Sequence, residues 1–130
     1  MHMQKKAKWF GYIFIVIGIL GFVPGITSNG QLLGIFEVGA VHNIVHVLSG
    51  IIALMCAGSM GGAKSFFKIF GVIYGLVAIL GLLGSGSVLG IFMVNRADNL
   101  LHLVIAVIAL WLGFFGGSSK MSAPMQQGQM

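Results

Sequence analysis

Charge is the scarcest feature of this sequence. Only 7% of its 130 residues are charged, and Asp and Glu together number 2. A water-soluble domain carries roughly a quarter charged residues, so this chain cannot clothe a soluble surface. A carboxylate-bridged di-iron site draws several Glu residues and paired Glu-x-x-His motifs from a bundle. With Glu37 and Asp98 alone, that chemistry is excluded. The single cysteine, Cys56, excludes an internal disulfide and any cysteine-based metal cluster. It lies in "ALMCAG" near the end of an apolar run and reads as a small packing residue. Alternation of polar and apolar residues is also missing from runs such as "YIFIVIGIL", which removes a membrane barrel. Ser28, Ser49, Ser85 and Ser87 have no acid–base partners at useful sequence positions. Neither "GSGS" nor "GGAKS" has the context of a phosphate-binding loop, so no enzymatic activity is expected.

Apolar residues fill the space that charge leaves. They make up 58% of the chain, and the mean hydropathy is +1.04, which excludes disorder and points to an integral membrane protein. Four apolar stretches run approximately over Trp9–Pro24, Ala40–Ala57, Phe66–Leu83 and Asp98–Phe115. Each approaches the ~20 residues that a helix needs to cross a ~30 Å hydrocarbon layer. The expected fold class is an all-α membrane protein with four transmembrane helices. The first stretch follows "MHMQKKAKW" in the manner of a signal peptide, but no small-x-small cleavage site closes it. It is read as a retained helix.

The basic residues set the expected orientation. Lys5, Lys6, Lys8, Lys64, Lys68 and Lys120 fall on one side of these crossings and Arg96 on the other. That asymmetry places both termini and the 60–65 loop in the cytoplasm. The net charge of +5 is thus a membrane-anchoring feature rather than a nucleic-acid footprint. Residues 1–8 form a basic N-terminus, and 117–130 read as a disordered cytoplasmic tail.

The chain also repeats itself. "GIFEVGAVHNIVHVLSGIIAL" (34–54) aligns without gaps on "GIFMVNRADNLLHLVIAVIAL" (90–110), and "FGYIFIVIGILG" (10–21) pairs with "FGVIYGLVAILG" (70–81). Two tandem helical hairpins, 9–59 and 66–116, follow from this. Both start from the same side, so they have parallel topology. On the second helix His42, His46, Gly50, Ala53 and Ala57 share one face, and Asp98, His102, Ala106, Ala109 and Gly113 repeat the spacing on the fourth. Gly11, Gly18 and Gly21, and likewise Gly71, Gly75 and Ala78, supply small stripes on the other two helices. A polar cluster near the outer end therefore looks into the bundle.

The motifs "VHNIVH" and "ADNLLH", with "GIFEV", resemble a family of small bacterial four-helix membrane proteins catalogued as a domain of unknown function. The resemblance covers about residues 8 to 116. It implies a multi-pass protein of the bacterial plasma membrane and carries over no catalytic role.

The cluster is read as structural or accessory, with metal binding as the runner-up and transport and haem binding as further alternatives. In a structural or accessory reading, Asn95 caps the fourth helix with Asp98 at its N3 position. Asn43, His46, Asn99 and His102 then bond across the bundle. In a metal reading, His42, His46, Asp98 and His102 bind Zn²⁺ or another divalent ion. In a haem reading, His46 and His102 are axial ligands of a b-type haem. In a transport reading, the ionisable groups line a pathway through an oligomer. Expected partners are the lipid bilayer and further copies of the chain or another membrane protein, with no nucleic acid. Glu37 reads as a solvated interface residue, since its repeat counterpart is Met93.

Overall fold

The structure is a computed structural model that describes residues 2–84 and 86–116. The proposed tail 117–130, with Lys120, lies outside the described residues, as do Met1 and Ser85. Four helices make up most of the described chain: α1 (Met3–Leu20), α2 (Ala40–Cys56), α3 (Met60–Leu83) and α4 (Arg96–Phe115). By length and composition, α3 and α4 are able to cross a membrane, while α2 is apolar but only 17 residues long.

Close packing begins at glycine. A Cβ added to Gly11 would press on Leu54 and the Gly50 carbonyl, and one added to Gly71 would press on Leu110. These notches let α1 lie tightly on α2, and α3 on α4, because membrane-type helix pairs gain from backbone approach. A second pair of notches lies at the end of the bundle where α1 and α3 finish, where Gly21 faces the Asn43 amide and Gly81 the Asn99 amide. The faces expected to point inward are buried: His42, His46, Gly50, Ala53 and Ala57 on α2, and Asp98, His102, Ala106, Ala109 and Gly113 on α4. The two helix pairs meet chiefly where α3 lies against α1 and α2.

The helix ends differ from the sequence reading. The segment 60–65, expected as a loop, forms the first turns of α3, and only Ala57–Ser59 separate it from α2. Ser59 caps α3 by accepting a hydrogen bond from the Gly62 N–H at 2.9 Å. Lys64 and Lys68 therefore project from a helix, and the Lys68 ammonium sits 5.1 Å from the centre of the Phe114 ring. A long aliphatic stem permits this, since it lies along apolar surface while its charge reaches outward.

Short antiparallel ribbons fill the α1–α2 and α3–α4 connections, which the sequence reading treats as plain loops. β1 (Thr27–Ser28), β2 (Gln31–Leu32) and β3 (Phe36–Glu37) form one ribbon, and β4 (Ser87–Val88) and β5 (Phe92–Met93) the other. Corresponding turns close them. Ile35 N–H donates to the Leu32 carbonyl at 3.0 Å and Ile91 N–H to Val88 at 2.9 Å. Leu33 and Gly34 have φ of 56° and 70°, and Leu89 and Gly90 have 54° and 71°. The longer first connection spends its additional residues on β1 and the Asn29–Gly30 turn. Thr27 then returns a hydrogen bond from its hydroxyl to the Leu20 carbonyl at the end of α1, 2.9 Å away.

Candidate functional site

The interior is zoned along the bundle axis. At the end where α1 and α3 begin, Met3, Ala7, Ala53, Ala57, Ala63, Phe66, Phe67 and Ala109 form an apolar core. Above it, an aromatic layer forms through stacked pairs: Phe10 on Phe14 at 4.4 Å and Phe66 on Phe70 at 4.4 Å between ring centres. Polar side chains collect above that layer, under the ribbons. His42, Asn43, His46, Ser49, Asp98, Asn99 and His102 are all buried.

Two kinds of polar residue can be told apart by their partners. Asn95 and Asp98 have theirs. The Asp98 N–H donates to Asn95 Oδ1 at 2.9 Å, and the Asn95 N–H donates to Asp98 Oδ2 at 2.9 Å. This is a complete capping box. Asn95 Nδ2 also donates to the Ile35 carbonyl at 2.9 Å, which ties α4 to the first ribbon. Asn43 and Asn99 fill the Gly21 and Gly81 notches, although Asn99 Oδ1 has no hydrogen-bond partner.

The histidines differ. His42 Nδ1, His102 Nδ1 and both ring nitrogens of His46 are buried without a hydrogen-bond partner. A neutral imidazole carries one N–H and one lone pair, and leaving either unmet in the interior costs about 1–3 kcal/mol. The three rings gather in one place. Ring centres are 4.9 Å apart for His42 and His46, 5.4 Å for His42 and His102, and 6.0 Å for His46 and His102. One nitrogen from each lies within 4.8 Å of the other two, so the three could hold one metal ion. Movement of less than about 1 Å per ring brings all three to the ~2.0–2.1 Å of a Zn–N bond.

Asp98, the fourth residue expected as a ligand, lines the same cavity but is not part of this group. Its carboxylate is engaged with the Asn95 backbone. Aromatic rings back the histidines: Phe14 stacks on His46 at 5.2 Å, Phe92 lies 4.9 Å from His42, and Tyr74 lies 5.7 Å from His102. The cluster separates two spaces. One is a cavity of about 220 Å³ bounded by Ile17 and Leu20 of α1 and by Leu32 and Phe36 of the first ribbon. The other, of about 70 Å³, is bounded by Ser49, Ile73, Tyr74 and Phe92.

Ser49 and Tyr74 form a pair that sequence reasoning missed. Their hydroxyls are 2.8 Å apart, and the Ser49 hydroxyl also donates to the Val45 carbonyl at 2.8 Å. With its one proton committed there, Ser49 accepts from Tyr74. The signal lay in the repeat, where Tyr74 aligns with Phe14. Each of these rings sits beside the histidine of its own half, and they meet each other at 5.5 Å.

Comparison with curated proteins and with solved structures finds no match. A family model described as Domain of unknown function (DUF4383) matches residues 4–115, so the chain belongs to that family.

Proposed function

We propose that this chain is a four-span protein of the bacterial plasma membrane that binds one transition-metal ion between its two halves through His42, His46 and His102. Membrane insertion is supported by the inverted distribution of side chains. Ile13, Val16 and Ile19 on α1, Ile44, Leu48 and Ile51 on α2, Ile69, Val72 and Leu76 on α3, and Leu100, Val107 and Trp111 on α4 are all exposed. The buried residues include three histidines, two asparagines and an aspartate. Water would favour the reverse, while lipid favours this arrangement. Lys5, Lys6 and Lys8 at the start of α1 share an end with Lys64 and Lys68 at the start of α3, which favours a cytoplasmic N-terminus. Corresponding glycine notches and ribbon turns in the two halves support a duplicated hairpin.

The observation that carries the binding function is the gathering of three buried imidazoles, each with an unpartnered ring nitrogen, within reach of one ion. The structural reading accounts for Asn95 and Asp98, whose bonds are made, and leaves the histidines unexplained. A haem between His46 and His102 is disfavoured because His42 stands beside both rings, with Phe14 and Tyr74 behind them. A through-pathway is disfavoured by the aromatic and alanine core that closes the lower half.

The test is thermal unfolding of the purified protein in detergent with Zn²⁺ as probe. An ion that binds only the folded state stabilises it by about 2.7 kcal/mol at a hundredfold excess over Kd. Zn²⁺ should raise the melting temperature of the parent, and His46→Ala or His102→Ala should abolish the gain. Only neutral imidazole ligates, so the gain should be lost once acidification protonates the three rings. A shift that survives loss of both histidines overturns the assignment and makes His2 the first suspect.

A further inference from the structure

We infer that the ion this site selects is monovalent copper in preference to Zn²⁺. The inference rests on the three-histidine reading above. Donor type alone does not decide between the two, since imidazole serves both metals. Charge and coordination number do.

The group offers three neutral nitrogens, with no carboxylate or thiolate among them. Each histidine is at most 5% exposed, and Phe14, Phe92 and Tyr74 stand around them. No ligand atom carries a charge to balance the bound ion, and the Asp98 carboxylate that lines the same cavity is tied to the Asn95 backbone. The cost of transferring an ion out of water grows with the square of its charge, so a divalent ion costs roughly four times as much as a monovalent one of similar size.

Coordination number points the same way. Protein-bound Zn²⁺ is almost always four-coordinate. The carboxylate that lines the same cavity, Asp98, already accepts the Asn95 N–H at 2.9 Å through Oδ2. Recruiting Oδ2 would give up the Asn95 N–H, one of the two bonds of the capping box. A water in the small cavity beside Tyr74 could complete zinc's shell, but it would leave the full divalent charge in place. A d¹⁰ monovalent copper ion is satisfied by three donors and needs neither.

The experiment is anaerobic titration of the full chain in detergent with Cu(I) supplied as its bicinchoninate complex, alone and against equimolar Zn²⁺. The expected result is loss of the complex's colour as one Cu(I) transfers per chain, with copper retained over zinc by at least about tenfold. Asp98→Asn should leave copper uptake unchanged and weaken zinc binding. His46→Ala should lose copper uptake, and His2→Ala should keep it. Displacement of copper by equimolar Zn²⁺, or loss of copper in a folded Asp98→Asn protein, overturns the inference while leaving the three-histidine site intact. If the folded parent takes up neither metal, both the site and its selectivity fall.

Discussion

Asn95 performs two tasks with one side chain. Its Oδ1 accepts the Asp98 N–H at the start of α4, and its Nδ2 donates to the Ile35 carbonyl of the other half. Replacement by Ala removes both, and loss of an N-cap alone costs about 1 kcal/mol. Asn95→Ala should therefore lower the unfolding free energy by about 1–2 kcal/mol, while Asn95→Asp, which keeps the cap and loses the bridge, should recover part of it. Equal stability of parent and Ala variant in a detergent melt would show that the cap contributes nothing. The Asn95–Asp98 spacing made this bond legible in the sequence, because a capping box is local and its geometry is fixed by a three-residue step. The Ser49–Tyr74 pair was not legible in the same way. Its members are 25 residues apart, and only the packing of α3 against α2 brings them together. The histidines fall between these cases. The i, i+4 pair on α2 is local, but the distance to His102 depends on how the two halves lean.

At the level of the element, glycine positions are matched but not identical. Gly50 faces Ile15, and a Cβ there would approach the Gly11 carbonyl backbone. In the second half the bulk is exchanged: Ala106 takes the place of Gly50, and Gly75 takes the place of Ile15. A Cβ on Gly75 would meet the Ala106 methyl at 3.7 Å, an ordinary contact. Gly50→Ala should thus destabilise by about 1–3 kcal/mol through overpacking, whereas Gly75→Ala should be neutral or stabilising by up to about 1 kcal/mol through helix propensity. Similar melting temperatures for the two variants would contradict this packing. The small stripes themselves were readable from helical periodicity. The ribbons were not, because strands of two residues are too short to show alternation. Leucine at positive φ, as in Leu33 and Leu89, is also no turn signal. The early start of α3 was hidden by Lys64, which reads as a loop residue until the stem of a helical lysine is considered.

For the whole molecule, the placement of lysine predicts what an impermeant reagent can reach. Single cysteines at Ser28, Gly30 or Leu89, in a Cys56→Ser background, should be labelled by a membrane-impermeant maleimide added to intact cells. Cysteines at Gly61 or Lys64 should be labelled only after the membrane is opened. The reverse pattern would invert the orientation proposed here. Hydropathy made the four apolar elements visible in advance, because it is a bulk property of each segment. How the two halves join was invisible, since it depends on side chains meeting across a seam. That seam has a further consequence. His42 and His46 come from the first half and His102 from the second. Anything that ligates all three acts as a clasp, adding its binding energy to the joint between the halves rather than to either half alone. Occupancy of the clasp would then set how freely one hairpin rocks against its twin, and the angle between them would report whether the ion is present.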